Sequence, residues 1–159
     1  MPSAGRALVL GLLAGLAMPG FAAAQGTQDS QLGLGVGYST RFKEPVLTVE
    51  FVVPLHDDFP ADVVAGLQYL DDGDTRRYVA ILDGQWRFSL RRLHRRAFGW
   101  VGGGFGLITE DPKGPREATT RDGQLSAFVG VGYDAPAVPY VQVRVTRKDE
   151  VILGLGVRF

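Results

Sequence analysis

The last nine residues, Val151-Ile152-Leu153-Gly154-Leu155-Gly156-Val157-Arg158-Phe159, constrain the fold more than any other stretch of the chain. Successive side chains of a strand point to opposite faces, so Val151, Leu153, Leu155, Val157 and Phe159 form one wholly apolar face. Ile152, Gly154, Gly156 and Arg158 form the other. Chain ends ordinarily fray into water, and a soluble domain gains little by placing its most apolar strand there. A strand that closes a barrel in lipid gains much, because its outer face meets hydrocarbon.

The same period-2 pattern recurs in seven earlier segments, at 31–41, 45–55, 61–70, 76–90, 97–108, 124–134 and 139–146. The fourth is the clearest. Tyr78, Ala80, Leu82, Trp86 and Phe88 lie on one face, and Asp83, Gln85, Arg87 and Ser89 on the other. The fifth is ambiguous, because Val101, Phe105 and Leu107 compete for the outward face with Phe98, Trp100 and Ile108. Eight short strands with one apolar face each, separated by turn residues, predict an all-β, eight-stranded antiparallel up-and-down transmembrane barrel. Twenty-two glycines argue against a helical alternative.

At the other end of the chain, Arg6 precedes an apolar run from Ala7 to Ala17, and Ala22-Ala23-Ala24 precedes Gln25. A positive start, a short apolar stretch and an A-x-A site predict a cleaved export leader over 1–24. The run is too short to span a bilayer as a helix. Residues 25–159 are then one barrel domain of ordinary size. The 17 basic and 17 acidic side chains cancel, which removes the electrostatic basis for nucleic-acid binding. With no cysteine, an exported chain has neither disulfides nor thiol chemistry.

An even number of strands puts both ends on one side, which for an exported outer-membrane chain is the periplasm. The connections at 56–60, 91–96 and 135–138 fall on that side. Those at 40–44, 71–75, 109–123 and 147–150 fall outside, and the longest, from Thr109 to Gly123, reads as an exposed loop. Tyr38, Tyr69 and Tyr78 then lie near the outer rim, with Trp86, Phe88, Tyr133 and Phe159 near the inner one, as two aromatic girdles. The inward faces carry Glu50, Gln68, Asp83, Gln85, Arg87, Ser89, Ser126, Gln142, Arg144 and Arg158. Buried charges need partners, so Glu50 and Asp83 are expected to pair with Arg87, Arg144 or Arg158 in a plugged interior. Inward glycines would make room for the long chains, and an eight-stranded barrel leaves no wide pore.

Leader, strands and terminal aromatic together resemble the small outer-membrane β-barrels of Gram-negative bacteria, the OmpA/OmpX-type group. That group commonly ends in an assembly signal with a final Phe, an apolar residue two before it and Gly five before it; Phe159, Val157 and Gly154 occupy those positions. The departures are Ile152, where a polar residue is usual, and Val157, where an aromatic is common. The resemblance spans the whole exported chain. It implies outer-membrane localisation, contact with membrane lipid and lipopolysaccharide, and recognition of the last strand by the barrel-assembly machinery.

Other motifs read more plainly. Gly102-Gly103-Gly104-Phe105-Gly106 lacks the Lys-Ser/Thr and helix of a phosphate loop and suits close packing or a kink in strand five. The basic run Arg91-Arg92-Leu93-His94-Arg95-Arg96 reads as a turn at a membrane surface, against headgroups or periplasmic components. Asp71, Asp72 and Asp74 around Gly73 read as a solvated hairpin, and no metal or other cofactor is expected. A lipid-modifying enzyme would need a Ser/His pair at the outer leaflet, whereas His56 and His94 both fall in inner turns. The expected function is thus a non-enzymatic barrel, structural or interacting through 109–123 with an extracellular protein or glycan. The alternatives are a lipid-modifying outer-membrane enzyme and a soluble lipocalin-like carrier.

Overall fold

The structure, a computed structural model, describes residues 30–56, 59–90, 92–114, 118–147 and 149–159. The expected leader, 1–24, lies outside the described residues. Eight strands follow in order: β1 (Gln31–Ser39), β2 (Glu44–His56), β3 (Phe59–Asp71), β4 (Thr75–Ser89), β5 (Ala97–Pro112), β6 (Thr120–Tyr133), β7 (Val138–Thr146) and β8 (Val151–Arg158). Each pairs antiparallel with the next, and β1 pairs with β8 from Gly33↔Arg158 to Ser39↔Ile152, closing the barrel. Past that ladder, Leu32 and Phe159 exchange backbone hydrogen bonds of 3.1 and 2.9 Å, so the last residue is tied into the closure. A closed barrel has no unpaired edge strand, which satisfies the backbone even in hydrocarbon.

Strand alternation sets which side chains face in. Along β4, Arg77, Val79, Ile81, Asp83 and Gln85 are buried while Tyr78, Leu82, Trp86 and Phe88 are exposed. Leu82, Val141 and Leu155 are 60%, 61% and 61% exposed in mid-strand, an arrangement that water penalises and hydrocarbon favours. Between Tyr78 and Phe88 on β4, and between Leu125 and Tyr133 on β6, the outward positions carry no charge. The aromatics sit at the two levels expected. Tyr69 and Tyr78 are directly opposed near the rim away from the chain ends, hereafter the far rim, with ring centroids 5.2 Å apart. Trp86, Phe88 and Tyr133 are exposed toward the near rim, which carries both described ends of the chain. On β5, Trp100 and Ile108 are buried and Val101, Phe105 and Leu107 are exposed, which decides the facing that sequence left open.

One expectation is corrected. The connection from Thr109 to Gly123 is not a loop over its length: β5 continues to Pro112 and β6 starts at Thr120, pairing Thr109↔Arg121 and Glu110↔Thr120. Charge and Thr content suggested a loop, but charges cost nothing in a hairpin that rises above the apolar belt, and β-branched Thr favours strand. The interior also holds apolar clusters beside its polar groups. Val46, Leu70 and Ile152 form one buried apolar cluster, Val79, Ile81 and Ile108 a second, and Trp100, Phe128 and Tyr140 a third.

Candidate functional site in the barrel interior and at its rims

Among the described residues four acidic side chains are buried, Glu50, Asp62, Asp83 and Glu150, and each meets an arginine. Glu50 faces inward because its neighbours Val49 and Phe51 take the outer face of β2. Across the ladder it opposes Gly33, which in turn opposes Arg158, so a glycine separates acid from base along one row. A Cβ at Gly33 would stand 2.5 Å from Glu50 Cγ; the missing side chain is the space the carboxylate uses. Arg158 Nε donates to Glu50 Oε1 at 2.7 Å. Its guanidinium also lies 4.4 Å from the Trp100 ring centre and 4.9 Å from that of Tyr140. Trp100 is held in turn by its Nε1 donating to Gln142 Oε1 at 3.0 Å.

In the next layer Arg144 Nη2 donates to Asp83 Oδ2 at 2.7 Å and Nη1 to Ser126 Oγ at 2.7 Å, with Phe128 4.6 Å from the guanidinium. Arg87 does not join Glu50 or Asp83. Its Nε lies 3.0 Å from Asp62 Oδ2 toward the near rim, and Gln85 Nε2 donates to the same oxygen at 2.6 Å. Asp62 shares its inward parity with Val64, Gly66 and Gln68, so the alternation of β3 was the signal that could have found it.

The pair that closes the far rim was also missed. Arg77 Nη1 contacts both oxygens of Glu150 at 3.1 and 2.9 Å, and Nη2 donates to Gln124 Oε1 at 3.2 Å. Ser39 Oγ donates to Glu150 Oε1 at 2.6 Å, and the Phe42 ring lies 4.8 Å from the Arg77 guanidinium. The parity of Arg77 with Asp83 was legible; Glu150, in the β7–β8 turn, lies outside the strand alternation that could have marked it as buried. Four opposed pairs leave the interior nearly neutral, the condition under which buried charge is tolerated.

Between these layers remain cavities of about 20 and about 10 Å³, the first lined by Gly35, Thr48, Glu50, Gln68 and Arg144, the second by Val46, Leu70, Arg77 and Glu150. Each has room for about one water and neither for a permeating solute. On the far rim, Asp71 and Asp72 act as turn builders: Asp71 Oδ1 accepts from the Gly73 N–H, and Asp72 Oδ1 from the Asp74 and Thr75 N–H groups. Gly73, at φ 96°, takes a conformation few other residues tolerate. Lys113 reaches across from the β5–β6 hairpin to Asp71 at 2.5 Å, and with the Gly73 N–H holds that carboxyl below the usual carboxylate range. Among the described residues no three His, Cys, Asp or Glu side chains gather as a metal site.

The terminal positions divide between the faces. Gly154 turns inward on β8, while Val157 and Phe159 turn outward and are partly covered. His94 lies in the near-rim turn with its ring centre 5.3 Å from that of Tyr133, and Ser39 points inward at Glu150.

No protein-family model matches the chain, and no curated protein matches it in sequence. Solved structures do match in shape. The N-terminal β-barrel domain of Pseudomonas aeruginosa OprF superposes with a TM-score of 0.68 at 14% identity, over 85% of this chain and 98% of that one. Neisserial surface protein A gives 0.59 at 11% identity over 81% and 92%, and the outer-membrane enzyme PagL 0.53 at 9% over 81% and 98%. The chain therefore has the fold of the small eight-stranded outer-membrane barrels.

Proposed function

We propose that the chain is a small integral outer-membrane barrel with a plugged interior, structural or interacting through its far-rim hairpins, and without catalysis of its own. One observation carries this reading: the polarity is inverted relative to water, with leucines and valines outside and four ion pairs within. A soluble carrier barrel would be charged outside and apolar inside. The near rim then faces the periplasm, and the apolar and aromatic surface meets membrane lipid. The β5–β6 hairpin, clasped to β3 through Lys113 and Asp71, offers protein, glycan or lipopolysaccharide a surface of mixed charge. Gly154, Val157 and Phe159 would serve as the assembly signal. PagL shares the fold, but what supports a non-catalytic role is the separation of His94 from Ser39, one at each rim and Ser39 turned inward.

Purified protein in planar lipid bilayers tests the plug. The expected record shows no steady conductance step, because apolar clusters and ion pairs fill the interior and the two cavities described between them are water-sized. A large, stable step would contradict it.

A further inference from the structure

We infer that the β4–β5 turn is a binding site for the phosphates of anionic phospholipids in the leaflet on the side of the chain ends. The inference rests on the membrane reading above and assigns a ligand class to one turn. The turn carries four arginines in six residues, of which Arg92, Arg95 and Arg96 are described and exposed. It is locally built: the Leu93 and His94 N–H groups both donate to Leu90 O at 2.8 and 3.2 Å, and the Arg96 N–H donates to His94 Nδ1 at 3.2 Å. The His94 ring is in turn anchored against Tyr133.

Position selects the ligand. The outward face of β4 ends in Trp86 and Phe88, two rings of the near-rim girdle, and the arginines follow within a few residues. Rings at the edge of the hydrocarbon put the next residues at the depth of lipid phosphates. Leu93 at the tip is 81% exposed, which suits the amphipathic headgroup region better than bulk water. Among the described residues no ion pair occupies Arg92, Arg95 or Arg96; the nearest acid along the ladder, Asp134, meets Arg96 through backbone, its N–H donating to Arg96 O at 2.8 Å. Guanidinium forks match phosphate oxygens bidentately, and clustered basic residues beside a membrane favour anionic over zwitterionic lipid.

The test uses the full barrel offered equal amounts of phosphatidylglycerol and phosphatidylcholine in mixed micelles, with retained lipids counted by native mass spectrometry. Wild type should retain the anionic lipid on the order of tenfold over the zwitterionic one, and less so as salt rises. Arg92→Gln/Arg95→Gln/Arg96→Gln should bring retention toward parity, while Arg121→Gln/Arg147→Gln on the far rim leaves it unchanged. Equal retention by wild type, or a preference that survives the near-rim variant, overturns the inference. Insertion into pure phosphatidylcholine vesicles is scored separately. A barrel that inserts but shows no preference refutes this site alone, whereas failure to insert refutes the membrane reading and the site with it.

Discussion

Arg158→Ala should destabilise the folded barrel by about 3–5 kcal/mol, because truncation leaves the Glu50 carboxylate buried without its cation. The loss has a second component. The guanidinium fills the space beside Trp100 and Tyr140, and both rings would face a void once it is gone. Arg158→Lys should fall between the two proteins, since an ammonium keeps the charge but lacks the planar group that stacks on both rings. The paired change Glu50→Gln/Arg158→Met should recover most of the loss, as an apolar replacement of a buried ion pair is often neutral. Denaturant unfolding of the refolded protein, followed through tryptophan fluorescence, measures all four. Equal losses in the single and double variants would contradict this account, because removing the stranded carboxylate would then have recovered nothing.

Gly104→Ala should be the most damaging of the glycine substitutions on β5. A Cβ there would lie 2.2 Å from the Leu82 carbonyl oxygen and 2.4 Å from Asp83 Oδ1, and the backbone atom cannot swing aside. The overpacking should cost about 3 kcal/mol or more, with the Asp83–Arg144 contact disturbed as well. Gly84→Ala is the matched control. Gly84 is outward-facing on β4, a Cβ there meets nothing within 4 Å, and an added methyl should be neutral or slightly stabilising. The comparison is read as the difference in unfolding midpoint at equal m-value; similar midpoints would refute the close packing of β4 on β5.

The outward faces were legible in the sequence because strand alternation puts an uncharged residue at every second position, as β4 does from Tyr78 to Phe88. The inward list was legible as its complement. What periodicity could not supply is partners, because these depend on how the sheet closes. Glu50 and Arg158 are 108 residues apart in sequence and meet only through the β1–β8 ladder. Strand β5 defeated the pattern because it carries large apolar residues at both parities. Its facing is settled by β6, where Gly130 and Gly132 leave space for Trp100 and Phe98; a Cβ at Gly130 would fall 2.4 Å from the indole. Glu150 escaped the pattern for a related reason. A charged residue in a turn reads as solvated, yet Arg77, Ser39 and the barrel wall enclose it. The basic turn at 91–96 was visible as composition, and the structure adds its level relative to Trp86 and Phe88.

Cell fractionation followed by electrophoresis with and without boiling tests the membrane barrel most directly. A closed β-barrel with an apolar belt should remain in the outer-membrane fraction, require detergent for extraction, and migrate differently when unheated from when boiled. A protein recovered in aqueous buffer without detergent, with one mobility under both conditions, would contradict it.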